Sequence, residues 1–182
     1  KAVLDSIDRG CAFLRNRQNP DGSWGSARNT KGLNIYAPVP GSHRAFRLAV
    51  TALSTAALIE NKGNDSNFSK VIGNGEEYLL EKLPYLRRAT PMAIYNVWAH
   101  AYGIQALTRM HKRIVGKSDA NKTKLLRIEN LIRHQFGMLE RYATIDGGWG
   151  YYDFNAQTKQ PSGSSISFVN ATGLVALHEA KE

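Results

Sequence analysis

The chain has 182 residues, of which 42% are hydrophobic and 21% charged, with a net charge of +9 and one cysteine. That length suits one domain with a sizeable core, and the composition excludes a disordered or low-complexity polypeptide. No apolar run approaches the ~20 residues of a membrane span, and Cys11 alone excludes an intrachain disulfide.

No secretory signal pattern and no initiator Met is present. The chain is therefore expected to begin inside a longer precursor, and its compartment is not specified.

The first helix is predicted over residues 2–17, with Val3, Ile7, Cys11 and Leu14 on one face. Asn19-Pro20-Asp21-Gly22 stops it as a tight turn, because the residue before proline avoids helical angles and glycine takes the angle others avoid. Trp24 follows at once, placed to fold back as a lid on the helix end, where the Gln18 amide can reach free backbone groups. Residues 26–43 form a long polar loop, and a loop of that length in a compact domain is more often functional than a mere connector.

The second helix, residues 44–61, is apolar nearly all round and alanine-rich, which predicts enclosure by neighbours, with Gly63 as its C-cap. The third spans residues 68–83 and ends at Pro84, its first half weakened by Gly73 and Gly75. Thr90-Pro91 offers a cap and first-turn proline to the fourth, residues 91–114. The fifth begins near Asp119 and runs to residue 142, with Leu125, Ile128, Ile132, Phe136, Leu139 and Tyr142 as its stripe. Residues 144–165 are polar, glycine-rich and aromatic, and the sixth helix covers 166–181. No alternating strand pattern appears, so the class is all-α.

The positive charge is densest from Arg109 to Arg127, with only Asp119 opposing it. Aromatic residues do not interleave there and no nucleic-acid fold signature is present, so a solvated basic loop between helices is favoured over a membrane-surface or nucleic-acid contact.

A repeat underlies the helices. Ala57-Leu58, Ala106-Leu107 and Ala176-Leu177 align, and with them Ala52, Ala101 and Ala171, then Ser54, Gly103 and Gly173, then the polar set Thr51, His100 and Asn170. A spacing near 50 residues with two helices per unit describes an array of helical hairpins, each with an amphipathic outer helix and an enclosed inner one.

Arg9, Gly10, Phe13, Leu14, Gln18, Gly22 and Trp24 match the spacing of the glutamine-tryptophan repeat, and the chain thereby resembles squalene and oxidosqualene cyclases and bacterial prenyltransferase/squalene-oxidase repeat proteins. A second copy keeps Leu139, Gly147 and Trp149, with Ala143 in the glutamine position. A middle copy keeps Gly75, Tyr78 and Leu79 without the turn or tryptophan. The resemblance implies a terpenoid cyclase-like α/α toroid. The three hairpins then make about half a ring, in a single domain over residues 1–182 that is part of a longer chain. It also implies that Arg9, Gln18, Gly22, Trp24, Gly147 and Trp149 hold hairpins together.

The chemistry of that superfamily is not legible here. The Asp-x-Asp-Asp acid run of the cyclases is missing, Asp146 and Asp153 are isolated, and Cys11 has no aspartate pair to share a prenyltransferase-type zinc. No catalytic residue, metal site or cofactor is assigned. Cavity-lining candidates are His43, Thr51, Tyr95, Trp98, His100, Asp153 and Asn170; Thr51, His100 and Asn170 also read as satisfied core groups, and Tyr95 and Trp98 as core aromatics. Tyr151, Tyr152, Phe154 and Phe168 extend the aromatic set.

The expected function is a non-catalytic binding or structural module for an apolar or isoprenoid-like small molecule. The alternatives are a fragment of an isoprenoid-processing enzyme whose catalytic residues lie in further hairpins, and a carbohydrate-active toroid. Open apolar edges on the first and last hairpins would favour self-association that closes the ring.

Overall fold

A computed structural model describes residues 1–25, 42–88, 93–115, 121–150, 152 and 165–181. Among these residues are six α-helices: α1 (Ala2–Arg17), α2 (Ser42–Lys62), α3 (Ser69–Lys82), α4 (Asn96–Ile114), α5 (Lys122–Arg141) and α6 (Ser167–Lys181). The fold is all-α. Among the described residues the one extended pairing is an isolated antiparallel bridge between Ala93 and Tyr152.

The helix bounds follow local chemistry. Asp65 caps a short 3-10 turn, Ser66–Phe68, by accepting the Asn67 amide, and α3 starts from that turn rather than from Phe68. Pro84 sits inside a second 3-10 turn, Leu83–Tyr85, where its missing N–H does no harm. The fourth helix begins at Asn96, later than proposed from Thr90-Pro91, and those two residues lie outside the described set. Gly63 closes α2 with a bond from its amide to the Ile59 carbonyl, 3.0 Å, but is not among the left-handed glycines.

α4 is the centre of the packing: it lies against α2, α5 and α6. α3 packs on α2, and α1 packs on α2 as well. The tightest sequential pairs are therefore α2–α3 and α4–α5, one step out of phase with the hairpins expected from the repeat. The enclosure of α2 and α4 explains their alanine content, because small residues let helices approach closely.

The core has three parts. The largest joins α2, α3, α4 and α5 through residues such as Leu48, Leu79, Leu83, Leu107, Met110 and Ile128. A second lies under Trp149, with Ile104, Leu139 and Val169. A third lies under Trp24, with Cys11, Leu58, Phe68 and Ile72. Burial raises the pKa of the Cys11 thiol, with Asp8 adding to the rise and Lys62 opposing it.

The ends of the array are bare. On α1 only Cys11 of the predicted stripe is buried, while Val3 and Leu4 are 72% and 65% exposed. On α6 Phe168, Leu174 and Val175 are exposed as well. Of the one face that carries Val3, Ile7, Cys11 and Leu14, the C-terminal part packs with Leu58, Phe68 and Ile72, and the N-terminal part is exposed. No helix among the described residues is long and apolar enough to cross a membrane.

Candidate functional site

The two tryptophan turns are built alike. After α1, the Asn19 amide donates to the Ser23 carbonyl (2.8 Å), the Gly22 amide donates to the Asn19 carbonyl (2.9 Å), and Gly22 has φ +85°. After α5, the Thr144 amide donates to the Gly148 carbonyl (2.7 Å), the Gly147 amide donates to the Thr144 carbonyl (3.0 Å), and Gly147 has φ +89°. A left-handed glycine lets the chain reverse within one turn, so the tryptophan lands beside the helix it has just left.

Each indole N–H then donates to a helix carbonyl ten residues earlier: Trp24 Nε1 to Leu14 and Trp149 Nε1 to Leu139, both 2.8 Å. Both carbonyls lie in the last turn of their helix, where backbone partners run short; that of Leu139 also accepts from the Tyr142 amide at 3.1 Å.

The backbone N–H of each tryptophan is also caught. Trp24 N donates to Thr51 Oγ1 (3.0 Å) and Trp149 N donates to Asn170 Oδ1 (2.6 Å). Thr51 and Asn170 occupy the same repeat position. Of the two sequence readings of these residues, cavity-lining or satisfied core group, the hydrogen bonds fit the second: they anchor the turns to the inner helices. Buried backbone amides need partners, and a polar side chain at this one position supplies them.

His100 holds the third copy of that position and is fully buried. No tryptophan turn precedes α4, and its ring meets side chains instead: Nδ1 lies 2.6 Å from Gln135 Oε1, and Nε2 lies 3.2 Å from Asn96 Nδ2. Burial lowers its pKa to about 4, against the hydrogen bond to Gln135, with His134 and Arg87 adding to the decrease. The imidazole is thus neutral at pH 7, Nδ1–H donating to Gln135 and Nε2 accepting from Asn96, a core link between α4 and α5 rather than a cavity group.

Gln135 escaped the sequence reading although its position was informative. It aligns with Gly10 and Gly75 once Leu14, Leu79 and Leu139 are matched. At Gly75 a Cβ would press on Thr55 Oγ1 and on the Trp24 ring; at Gly10 nothing lies within 4 Å.

The remaining motif residues divide. Gln18 links α1 to the neighbouring unit: its Nε2 donates to the Val71 carbonyl of α3 (2.8 Å) and to the Gly22 carbonyl (3.0 Å), while Oε1 accepts from Asn74 (3.3 Å). Arg9 does not share that role. It donates to Ser6 Oγ on its own helix (2.9 Å) and is exposed, because its side chain leaves α1 on the face opposite α2.

Tyr95 is buried, and its hydroxyl lies 2.6 Å from that of Tyr152. Trp98 is half-buried in a stack with Tyr102 and Phe168, with centroids 5.9 and 5.7 Å away. Asp153, Tyr151 and Phe154 lie outside the described residues.

The basic segment is not a merely solvated loop. Arg109 forms a fork on Glu179 of α6 (2.6 and 3.0 Å) and reaches Glu60 of α2 (3.1 Å). Glu76 of α3, with a side chain only 2% exposed, receives Arg113 of α4 at 2.5 Å and Lys124 of α5 at 2.7 Å. Arg127 lies 3.3 Å from Glu77. The acids come from distant parts of the chain, which local charge counting does not reveal.

His43 is exposed at the start of α2 and lines a cavity of about 620 Å³. The wall includes Arg44, Arg47 and Leu48 of α2, Tyr78 and Lys82 of α3, residues 85–88, and Asp21 of the first turn. A smaller cavity of about 420 Å³ lies between α4 and α5, where His111 Nε2 is 3.3 Å from Glu129. Among the described residues no cluster of three His, Cys, Asp or Glu side chains is arranged for a metal.

No family model, curated protein or solved structure matches the chain.

Proposed function

We propose that the chain is a binding module built from helical-hairpin repeats, related in its glutamine-tryptophan turns to the α/α toroids, and that it has no catalysis of its own. The observation that carries this reading is the use made of the polar repeat position: Thr51, His100 and Asn170 each hold a turn or a neighbouring helix. The buried polar groups of the inner helices serve assembly, and no acid, nucleophile and base stand together among them. Ligand binding then falls to the cavity beside α2 and α3.

Incubation of the purified protein with linear polyenes and with prenyl donors plus a thiol peptide tests the reading. No product above the protein-free control is expected; turnover removed by a cavity substitution would overturn it.

A second reading, one part of an isoprenoid-processing enzyme, is favoured by Gly10. It has open space where the equivalent Gly75 receives Trp24, so the outer side of α1 has room for a preceding unit. The longer open reading frame decides between the two: further hairpins bearing an acidic run or zinc ligands would support the enzyme.

A further inference from the structure

We propose that the cavity beside the start of α2 binds the phosphate group of a small phosphate ester, with the ester's apolar part against Leu48, Leu86 and the tyrosines. The proposal rests on the binding-module reading and names its ligand.

Three segments bring cations to this one concavity. Arg44 and Arg47 are one helical turn apart on α2, Lys82 ends α3, and Arg87 and Arg88 follow the 3-10 turn. Among the described residues of the wall the one carboxylate is Asp21, 3.5 Å from Arg47. Desolvation pushes the Asp21 carboxyl up, but the Ser23 hydroxyl and amide together with Arg47 outweigh it, and its pKa falls below the usual value. Asp21 is thus a committed anion, already engaged in its own turn. Just outside the wall, Glu81 lies 3.4 Å from Lys82, both well exposed.

Four cations elsewhere are matched across helices. Arg109, Arg113, Lys124 and Arg127 each meet carboxylates on other helices. Around the cavity Arg44, Arg47, Lys82 and Arg87 face two carboxylates among the described residues, Asp21 and Glu81, and like charges gathered in a concave site attract a counter-ion of higher charge.

The geometry favours an oxyanion. Arginine presents a planar fork that suits phosphate. Arg87 Nη1 is fixed by the Pro84 and Leu86 carbonyls at 3.3 and 3.0 Å, so less freedom is lost when its other nitrogens engage a ligand. Arg47 Nε is buried with no hydrogen-bond partner among the described residues. The positive end of a 21-residue helix, α2, lies at the same place.

Size selects an ester over a free ion. A volume of about 620 Å³ lies in the range of small-molecule sites and well above a bare phosphate. Tyr78 and Tyr85 offer ring surface beside the charges. Burial raises the Tyr78 pKa, with Arg47 opposing, so its hydroxyl stays a neutral donor.

The test is calorimetric titration with phenyl phosphate, inorganic phosphate and phenol, and co-sedimentation with phosphatidic acid vesicles. Phenyl phosphate should bind one to one and more tightly than inorganic phosphate, and phenol should not bind. R44Q and K82Q should each weaken binding about tenfold, the size of one charged hydrogen bond. R133Q, on the exposed side of α5, should leave it unchanged, with circular dichroism confirming that each variant is folded. Vesicle binding that R44Q and K82Q remove, without phenyl phosphate binding, would assign the phosphate to a lipid headgroup. Equal losses from R133Q, or no phosphate binding to the folded protein in any arm, would overturn the proposal. Turnover of a polyene would instead refute the binding-module reading, which makes the two failures distinct.

Discussion

The Trp24 indole donates its N–H to the Leu14 carbonyl at 2.8 Å, closing α1 with a side chain from beyond the turn. Trp149 repeats the bond on Leu139 at the same length and the same spacing. The indole supplies both apolar burial and a donor, and the two contributions can be separated. Replacing Trp24 with Phe should cost about 1–2 kcal/mol, chiefly for the orphaned carbonyl. Replacing it with Ala should cost about 3–5 kcal/mol, as for other buried aromatics. Urea denaturation with an unchanged m-value measures both. Equal losses for Phe and Ala would show that the hydrogen bond, not the packing, holds the turn.

Glycines at one repeat position should respond with opposite signs. At Gly75 a Cβ would approach the Trp24 ring to 3.0 Å and Thr55 Oγ1 more closely still. Gly75→Ala should therefore destabilise by about 1–3 kcal/mol through overpacking. At Gly10 nothing lies within 4 Å, and Gly10→Ala should stabilise by up to about 1 kcal/mol from helix propensity alone. Thermal melts of the two single variants check the pair. A loss at Gly10 would mean that α1 is already covered there, by a second copy for instance.

The helices, their order and the likeness of the two tryptophan turns were legible in the sequence, because helical periodicity and turn chemistry are local. Thr51 and Asn170 stand out in the sequence as a shared polar position, but their partner, a backbone amide, does not, because no side-chain pattern reveals it. The ion pairs of Glu76 and Arg109 were invisible for a related reason. Their acids and bases are remote in the chain and meet only when α3, α4, α5 and α6 pack. The cavity was hidden too, with His43 its one anticipated member, because its cations come from three segments that are individually unremarkable.

Glu76 joins α3 to α4 and α5 through Arg113 and Lys124. Its carboxylate is buried, whereas Arg113 and Lys124 are 23% and 36% exposed. Removing the acid leaves two cations that can turn toward water, so the cost should fall below that of a fully buried pair. Glu76→Gln is expected to cost about 2–3 kcal/mol. In a double-mutant cycle with Arg113→Met, the two losses should be less than additive. Additive losses would show that the pair contributes little beyond the separate side chains.

The bare ends of the array predict association. Val3 and Leu4 on α1 and Leu174 and Val175 on α6 expose apolar surface at both ends. Light scattering should show a mass that rises with protein concentration, and Leu4→Lys should return it to the monomer value. A strict monomer at high concentration would mean that these faces are covered within the chain.

His100 makes stability depend on pH. Its folded pKa is about 4 against an ordinary 6.5, so between those values the unfolded chain holds more protons than the folded one. Stability then rises with pH through that window. The contribution is complete above about pH 6.5 and is lost as pH falls toward 4, by up to about 3 kcal/mol for a shift of this size. Protonation would also put a donor on Nε2 against the Asn96 amide nitrogen and place a charge near His134 and Arg87. Denaturation midpoints at pH 7.5, 5.5 and 4.5 should fall more steeply for the wild type than for His100→Gln, which keeps a donor and an acceptor without a titrating group. In NMR the His100 ring should remain neutral at pH 5.5, where an ordinary histidine is charged. Parallel midpoints for the two proteins would assign the acid sensitivity to other groups and leave His100 a simple packing residue.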